Sequence, residues 1–510
     1  MNTHNRPTIH SLNHQLTGWC LALVCAGATT VRAATITVTN TADNGAGTLR
    51  AALASVANGD TINFAVSLPA TITLTTGELL VTNSVSIIGP GSGNLAVDGN
   101  AASRVFHITN AVTASISRLT ITNGVTFGYV NPGAGIYNDH STLTVSNCTI
   151  SGNTSGYLGG GICNGGDAGS ATLTVIASTL SGNSAWAGGG IVNYGCCGGS
   201  ATLTVSASTL SGNSAGGQGG GICNLGNPFN EDAEGGSATL TVSASTLSGN
   251  SAGFGGGGIL HEVAAGGSAT LTLSASTLSD NSSGGTYYVG AIFIVGYDGI
   301  ATLEIGDTIL NGNASGENIL NLYSSPVTSD GYNLSSDAAG GDDHSTGPGG
   351  LLNATGDIRN TDPMLGPLAD NGGPNFTHAL LPGSPAIDQG KSFGLTTDQR
   401  GFSRPVDDAC IANAAGGDGS DIGAFEVQEV CRPVDFRVTA IKGIGSSDDL
   451  RLSYTTVLGS NYVVQARSNL VSGSWSSLSG TNVGIGVVMQ TIVTNALAAP
   501  QGFYRIQQSP

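Results

Sequence analysis

The chain has 510 residues, of which 80 are glycine, 9% are charged and 5% are aromatic, and its formal net charge is −18. Glycine is about twice as frequent as in an average globular protein, but no Gly-X-Y period runs through the sequence, which excludes collagen. Nucleic acids and anionic lipids repel so acidic a chain, and neither is an expected partner. The length allows roughly two to four domains.

The N-terminus predicts an export signal. Arg6 precedes an apolar run from Leu16 to Ala28, and Val31 and Ala33 are the small residues that signal peptidase requires before a cleavage site. A lipoprotein signal at Cys25 is the less favoured alternative, because Val24 stands where a small residue is needed. We expect residues 1–33 to be a signal peptide cleaved after Ala33. No later apolar run is long enough for a transmembrane helix, so we expect a secreted or cell-surface protein.

A short helix is predicted near the start of the mature chain. Leu49, Leu53 and Val56 fall on one helical stripe. Short alternating segments follow, such as Thr71 to Leu74, and these predict strands. We expect residues 34–70 to form an N-terminal cap, whose helix covers the open end of the first coil and protects a sheet edge from aggregation.

An internal repeat dominates the middle of the chain. The segment Ala-Thr-Leu-Thr-Val or a close variant begins at positions 141, 171, 201, 238, 269 and 301. Leu and Val alternate with Thr in each copy, which is the pattern of a strand with one buried face. Each unit holds short strands separated by Gly, Asn and Ser turns and cannot bury a face alone, so the units must stack. The repeat therefore predicts an all-β, parallel β-solenoid.

One asparagine recurs at the same position of each unit. These residues are Asn153, Asn183, Asn213, Asn250, Asn281 and Asn313. Asparagine tolerates left-handed corners and can hydrogen-bond its neighbour in the next coil, so we expect an inward-facing ladder. A binding role for the column is the less favoured alternative. The glycine triplets of the repeat indicate tight corners that require a positive φ.

A variable position after each Ser-Gly-Asn corner predicts a binding surface. It is occupied by aromatic residues in most units, namely Tyr157, Trp186 and Phe254, with Tyr287 and Tyr288 in the following unit. Equivalent positions stack along a solenoid, so these side chains are expected to form a column on one edge. Flat aromatic faces bind the CH surfaces of sugars, which predicts a carbohydrate-binding track. The alternative is that each ring packs over its own glycine corner.

The residue inventory argues against catalysis. A polysaccharide lyase needs a basic residue, and no Lys or Arg lies between Arg118 and Arg359. A glycoside hydrolase needs two facing carboxylates. The alternative catalytic set is Asp280, Glu304 and Asp307, which replace repeat residues in neighbouring units. Ordinary solvated turns are the favoured interpretation of these three, so the sequence assigns no catalytic residue.

The cysteines favour an oxidising compartment. Cys410 and Cys431 bracket one short segment and are the predicted disulfide. The pairing of the others stays open: Cys148, Cys163, Cys196, Cys197 and Cys223. Cys163 and Cys223 occupy equivalent positions two repeats apart and are too distant to bond to each other. The adjacent residues Cys196 and Cys197 could bind metal, but a loop disulfide or free thiols are the favoured interpretations.

Calcium is the one cofactor that the sequence leaves open. Gly416 to Asp421 matches part of a calcium-binding nonapeptide, and Asp342 and Asp343 lie in another glycine-rich loop. Such sites need stacked copies to complete the ligand shell. We therefore assign no metal and predict no cofactor.

Residues 40–330 resemble the secreted right-handed parallel β-helix proteins of bacteria, which are pectin-lyase-like. The Gly-Gly-Gly-Ile and Ser-Gly-Asn-Ser segments are similar to the repeats of polymorphic outer-membrane proteins, and Thr41–Arg50 is similar to the segment that opens such chains. The resemblance implies a right-handed solenoid over residues 71–330 and export. It says little about activity, because one fold hosts many functions.

The C-terminal third resembles the choice-of-anchor domain that follows such helices. The matching segments are Gly366–Pro374, Leu381–Gly390, Asp398–Gly401 and Asp421–Glu426. The resemblance implies that residues 331–434 terminate the solenoid. Residues 435–510 resemble a small C-terminal β-domain of secreted proteins and are expected to form a β-sandwich.

Together these patterns predict an exported, non-catalytic surface protein that acts as an adhesive or glycan-contacting scaffold. The expected partner is an extracellular glycan or another cell-surface component, and the oligomeric state stays open. The alternative is a polysaccharide-degrading hydrolase or lyase of the pectin-lyase-like fold. A purely structural surface component is a third hypothesis.

Overall fold

The alternating side chains of each repeat form strands that stack in register. In the computed structural model Leu173 pairs in parallel with Leu203, and Val175 pairs with Val205. All four side chains are fully buried, whereas Thr172 on the opposite face is partly exposed. The chain is therefore an all-β parallel solenoid, as the repeat predicts.

The structure describes most of the chain. The described residues are 33–428 except 130, 227–234, 265, 286–287, 313–316 and 341–349, and then 438–443, 450–455, 461–467, 474–478, 482–483, 488–493 and 503–509. All of the predicted signal peptide except Ala33 lies outside them. Within the described part of the chain, no helix is long and apolar enough to cross a membrane.

Each repeat coil contributes strands to four parallel sheets, which the chain visits in the order A, B, D and C. Sheet A contains Thr35–Val38, Asp60–Phe64, Val85–Ile88, Thr113–Ser117, Thr142–Ser146, Ser170–Ile176, Ser200–Ser206, Ser237–Ser243, Ser268–Ser274, Ile300–Gly306 and Val327–Gly331. Sheet B contains Ala70–Thr73, Leu95–Asp98, Thr120–Thr122, Thr149–Ser151, Thr179–Ser181, Thr209–Ser211, Thr246–Ser248, Thr277–Ser279, Ile309–Asn311 and Leu334–Ser335.

The two remaining sheets meet at the glycine triplets. Sheet D contains Val125–Thr126, Thr154–Ser155, Ser184–Ala187, Ser214–Gln218, Ser251–Ala252 and Ser282–Ser283. Sheet C contains Leu79–Val81, Phe106–Ile108, Ile136–Asp139, Ile162–Asp167, Ile191–Cys196, Ile222–Gly226, Ile259–Val263, Val289–Gly296 and Glu317–Leu322. One continuous apolar core fills the space that these sheets enclose.

The predicted asparagine column forms a buried ladder after the strands of sheet B. The side-chain amide of each member donates to the side-chain oxygen of the member in the next coil at 2.9 Å. The same oxygen accepts the backbone N–H of the preceding member at 3.0–3.1 Å. The described members are Asn153, Asn183, Asn213, Asn250 and Asn281, and Asn313 lies outside the described residues. The ladder satisfies polar groups that would otherwise be orphaned in the core.

A second buried ladder, which the sequence analysis did not predict, runs along the inward face of sheet C. Its members are Asn138, Asn164, Asn193, Asn224 and His261. The amide-to-amide distances are 2.7 Å, and Asn224 donates to Nδ1 of His261 at 3.0 Å. Burial lowers the pKa of His261 to about 4, so the imidazole is neutral and can serve as the acceptor.

The predicted helix caps the first coil. It spans Leu49–Ser55, and the side chain of Thr48 accepts the backbone N–H of Ala51 as its N-cap. Leu49 and Leu53 are buried. The helix packs against Thr35–Val38 and Leu79–Val81, which are the end strands of sheets A and C. It therefore covers the open end of the solenoid, as the hydrophobic stripe predicts.

The region predicted to terminate the solenoid also folds back along its side. It begins with the antiparallel pair Leu365–Ala369 and Thr377–Leu380. Its polar groups then bond to outward-facing threonines of sheet B, for example Gln399 to Thr246 at 2.5 Å and the N–H of Ala424 to Thr277 at 3.0 Å. Thr209, Thr246 and Thr277 are buried beneath it. We call residues 351–428 the flanking segment. It follows the last coil of the solenoid in sequence and also packs on the strands that five coils contribute to sheet B.

The C-terminal strands form two small antiparallel sheets. One sheet contains Val438–Gly443, Leu450–Thr455 and Val488–Val493, and the other contains Asn461–Arg467, Ser476–Ser477, Asn482–Val483 and Phe503–Ser509. Leu452 and Tyr454 of the first sheet share an apolar cluster with Tyr462 and Val464 of the second. This is the arrangement of a small β-sandwich.

Candidate functional site

The predicted aromatic residues form one row on the outside of sheet D. The residues that directly follow them pair with one another from coil to coil, in the order Leu158, Ala187, Gln218 and Gly255. The row itself therefore consists of Tyr157, Trp186, Gly217 and Phe254. The exposed fraction is 47% for Trp186 and 50% for Phe254, and Tyr157 is half-buried. These residues, which we call the aromatic row, present a linear apolar surface to solvent.

Gly217 lies between Trp186 and Phe254 in the row and leaves room for their rings to approach each other. A Cβ atom at this position would lie 2.8 Å from Cε2 of Trp186, so any side chain here would displace the indole ring. Without one, the ring centroids of Trp186 and Phe254 lie 6.0 Å apart although the residues are two coils apart. Trp186 therefore covers the glycine of the next coil and approaches Phe254, instead of packing over its own corner.

The aromatic row extends at one end. Tyr129 is 79% exposed, and its ring meets that of Tyr157 edge-on with a centroid distance of 5.0 Å. Tyr129 was not predicted, because it lies in a coil without the strict repeat. Tyr288 is 57% exposed, and Tyr287 lies outside the described residues.

An apolar floor lies beside the aromatic row, on the outward face of sheet C. Its buried members are Leu158, Cys163, Ala187, Val192, Cys223, Leu225, Leu260, Val289, Phe293 and Leu320. Side chains of sheets D and C belong to one cluster because the glycine triplets bend the chain sharply between them. Gly188 has φ +64°, and a Cβ atom there would clash with the side chain of Val192. Tyr157 packs against this floor, which links the floor to the aromatic row.

One carboxylic acid is embedded in the floor. Glu262 stands in register between Leu225 and Val295 of the adjacent strands. Burial alone raises its pKa to about 7, with no contribution from another charged group. Glu262 therefore has the pKa of a general acid, but no carboxylate among the described residues contributes to that pKa as the facing, ionised partner of glycoside hydrolysis would.

A group of histidines and carboxylates lies at the opposite edge of sheet C. His107 bridges two acids, with Nδ1 3.2 Å from Oε1 of Glu78 and Nε2 3.4 Å from Oδ2 of Asp139. Its ring stacks on Tyr137 at a centroid distance of 5.0 Å. Arg104 forms an ion pair with Glu78. We call Glu78, His107, Asp139, His140 and Asp167 the histidine–carboxylate strip.

Asp139 is the centre of this strip. Its carboxylate accepts hydrogen bonds from the hydroxyl of Tyr137 at 3.2 Å and of Thr109 at 3.1 Å, and it lies 2.5 Å from Nδ1 of His140. Burial opposes ionisation of Asp139, but the hydrogen bond and charge of His140 outweigh it and lower the pKa. The other ring nitrogen of His140 contacts the backbone oxygen of Asp167.

The electrostatics of the strip favour fixed charge over acid catalysis. Burial also opposes ionisation of Glu78, yet His107 and Arg104 hold its pKa below the usual range. Both Glu78 and Asp139 are therefore ionised at neutral pH, and neither can protonate a leaving group. The sequence analysis missed the strip because its residues are about one coil apart in sequence. Reading the sequence at the coil period would have aligned them.

The alternative catalytic set is not brought together. Glu304 is exposed on sheet A, and Asp280 is exposed at the corner after sheet B. Asp307 is fully buried, where it pairs with Arg404 of the flanking segment and accepts the backbone N–H of Lys391 at 3.1 Å. A carboxylate enclosed in this way holds the flanking segment to the solenoid and cannot reach a substrate.

The loop that resembles a calcium site is internally hydrogen-bonded. The carboxylate of Asp418 accepts the hydroxyl groups of Ser392 and Ser420, both at 2.6 Å. Burial opposes ionisation of Asp418, but these hydrogen bonds prevail and lower its pKa. Asp342 and Asp343 lie outside the described residues. Among the described residues, the loop from Gly416 to Asp421 thus shows no additional calcium ligand.

The cysteines differ in environment. Cys163 and Cys223 are free and buried, with Val192 between them in register, so they are two coils apart as predicted. Cys196 and Cys197 form a disulfide with each other. Cys410 is disulfide-bonded, and its predicted partner, Cys431, lies outside the described residues.

Comparison with known proteins identifies no relative. No protein-family model matches the chain, and no curated protein matches it. The function is therefore inferred from the fold and from the surfaces described above.

Proposed function

We propose that this chain is an exported, non-catalytic parallel β-helix rod that contacts a glycan along the aromatic row, at the cell surface or outside the cell. The single observation that carries the proposal is the in-register exposure of Trp186 and Phe254, whose rings approach across Gly217. A glycan chain repeats its sugar rings along a line, and a linear aromatic row offers it successive stacking faces.

The charge of the chain indicates the glycan class. The formal net charge is −18, and no Lys or Arg lies between Arg118 and Arg359, the part of the chain that carries the aromatic row. A polymer of uronic acids would be repelled by so acidic a chain. We infer that the ligand is a neutral or amino-sugar glycan.

The proposed function includes the finer family assignment. The export signal, the polymorphic-outer-membrane-type repeats and the choice-of-anchor-like segment together support a right-handed, pectin-lyase-like rod of a secreted bacterial protein. The closed ends of the described solenoid support a rod of defined length, because the helix Leu49–Ser55 covers one end and the flanking segment follows the other.

The test is retention on insoluble neutral glycans, with Trp186→Ala as the variant and Tyr297→Ala as the matched control. Tyr297 is 53% exposed but lies outside the aromatic row, beside Tyr323. An indole of about 250 Å² that is 47% exposed offers a ligand roughly 100 Å², and covering half of that area contributes about 1.3 kcal/mol. We expect retention to fall about tenfold in Trp186→Ala and to stay unchanged in Tyr297→Ala.

The same preparations test the enzymatic alternative. Polysaccharides incubated with the wild-type protein should release no reducing ends and no unsaturated uronates. Their appearance would replace the binding proposal with a catalytic one. Equal retention of both variants would remove the aromatic row as the binding surface.

A further inference from the structure

Two adjacent turns bring an acid beside the cysteine pair. The N–H of Gly199 donates to the backbone oxygen of Cys196 at 2.8 Å, and that of Ala168, in the preceding coil, donates to the same oxygen at 3.0 Å. A Cβ atom at Gly199 would clash with the backbone of the preceding turn. Glycine at this position therefore allows the close approach that sets Asp167 beside Cys196 and Cys197.

The ligand-type atoms of these residues lie close enough to share one ion. The two Sγ atoms and a carboxylate oxygen of Asp167 all lie within 4.8 Å of one another. A tetrahedral zinc site with Zn–S bonds of about 2.3 Å places its sulfurs about 3.8 Å apart, so a modest rotation of the freed thiols satisfies it. Asp167 and Cys197 are exposed, which gives an ion access from solvent.

We propose that reduction of the Cys196–Cys197 disulfide creates a site for a thiophilic divalent cation, Zn²⁺ or Cd²⁺, in which both thiolates and the Asp167 carboxylate are ligands. Thiolate sulfur selects such soft or borderline ions over calcium and magnesium. Three protein ligands leave the fourth position of the tetrahedron to water.

Tyr194 orients the carboxylate ligand. Its hydroxyl donates a hydrogen bond to Asp167. The hydrogen bond occupies only part of the acceptor capacity of a carboxylate, so the group can still coordinate an ion. Outer partners of this kind fix metal ligands in position, and their removal weakens binding 10- to 100-fold.

The chemistry balances with a dithiol as the reductant. The dithiol gives two electrons and two protons to the Cys196–Cys197 bond and becomes a disulfide itself. The two resulting thiols then lose their protons as the cation binds. The site is therefore available only in the reduced protein, and the oxidised pair excludes the ion.

Within the described part of the chain, the other thiols do not compete well. Cys148, Cys163 and Cys223 are buried. Burial raises the pKa of Cys148 to about 11 and that of Cys163 to about 12, which keeps both protonated. Cys410 is exposed and disulfide-bonded, so reduction frees it as well. Cys410→Ser is therefore the matched control.

The experiment titrates Cd²⁺ into the full-length protein after dithiothreitol treatment and removal of the reductant without air. Thiolate-to-cadmium charge-transfer absorption and calorimetry report binding, and circular dichroism verifies the fold of each variant. We expect one tight ion per chain in the reduced wild type and in Cys410→Ser. We expect loss of the absorption band in the double variant Cys196→Ser/Cys197→Ser and in the oxidised protein.

Two further variants distinguish a three-ligand site from binding by the two thiolates alone. Asp167→Asn and Tyr194→Phe should each weaken Cd²⁺ binding by at least tenfold, while Asp298→Asn, at an exposed corner farther along the solenoid, should bind as the wild type does. Unchanged affinity in Asp167→Asn would overturn the three-ligand site. A band that persists in the folded double-cysteine variant would overturn the proposal altogether.

Discussion

Removing one amide from the middle of the asparagine ladder should destabilise the solenoid by several kcal/mol. Asn213 is fully buried. Its Nδ2 donates to Oδ1 of Asn250 at 2.9 Å and to the backbone oxygen of Leu180 at 3.0 Å. Its Oδ1 accepts from both Nδ2 and the backbone N–H of Asn183, at 2.9 and 3.1 Å. Asn213→Ala deletes all of these hydrogen bonds.

The magnitude follows from which groups keep another partner. Nδ2 of Asn183 still donates to the backbone oxygen of Ile150 at 2.9 Å, and Oδ1 of Asn250 still accepts the backbone N–H of residue 213 at 3.0 Å. The backbone N–H of Asn183 loses its acceptor inside the core. One orphaned donor costs about 1–3 kcal/mol, and the remaining lost bonds add about 1 kcal/mol each. We expect a total of about 4–6 kcal/mol.

Urea unfolding monitored by circular dichroism measures this cost. Asn311→Ala is the matched control, because Asn311 is half-exposed and its Nδ2 bonds only to Oγ of Ser279, at 3.1 Å. It should cost no more than about 1 kcal/mol. Stacked coils can unfold in segments, so tryptophan fluorescence provides a second probe of the transition. A loss below about 1 kcal/mol for Asn213→Ala would refute a stabilising role of the ladder in the core.

Two other predictions follow from the buried titratable groups. The pKa of Glu262 in the folded chain, about 7, exceeds its ordinary value of 4.5, so its contribution to the unfolding free energy should fall as pH rises from about 4.5 to 7. This loss is at most about 3 kcal/mol and smaller where water reaches the group. The opposite sign holds for His261, whose folded pKa of about 4 lies below the ordinary value of 6.5: its contribution should fall as pH drops from 6.5 to 4, by about 3 kcal/mol. The two contributions oppose each other in the wild type, so each is measured as the difference between the wild type and one variant. Glu262→Gln should gain stability relative to the wild type as pH rises from 4.5 to 7, whereas His261→Asn, which continues the ladder of amides, should gain stability relative to the wild type as pH drops from 6.5 to 4. Urea midpoints at pH 4, 5.5 and 8 measure both differences, and a pH profile of either variant that parallels the wild type would contradict the corresponding prediction.

The repeat made the solenoid and its first ladder predictable. Because the repeats are evenly spaced, equivalent residues of successive units pair in register. The spacing alone was therefore sufficient to place Leu173 and Leu203 in one row. The asparagine ladder followed because its members recur at one corner of every unit, directly after a glycine in all units except that of Asn281, where Asp280 replaces it. The helix at Leu49–Ser55 was predictable from its apolar stripe. In each case one periodic pattern carried the prediction.

The second ladder and the histidine–carboxylate strip were missed, although the coil period contains both. Four members of the ladder are asparagines two residues after the isoleucine of the repeat, and only His261 departs from that pattern. Glu78 and His107 of the strip are one coil apart but lie in coils without the strict repeat, so no local motif draws attention to them. The position of the flanking segment depends on tertiary contacts, such as Gln399 with Thr246, that no spacing rule encodes.

The hydrogen bonds between the flanking segment and sheet B affect the rate at which the protein unfolds. Asn375 and Thr179 are separated by 196 residues, and His378 and Ser248 by 130. Contacts between such distant parts of a chain form after local coil stacking, because closing so long a loop is entropically unfavourable. Interactions that form late in folding retard unfolding far more than they accelerate folding. The flanking segment should therefore slow unfolding and prolong the lifetime of the folded solenoid.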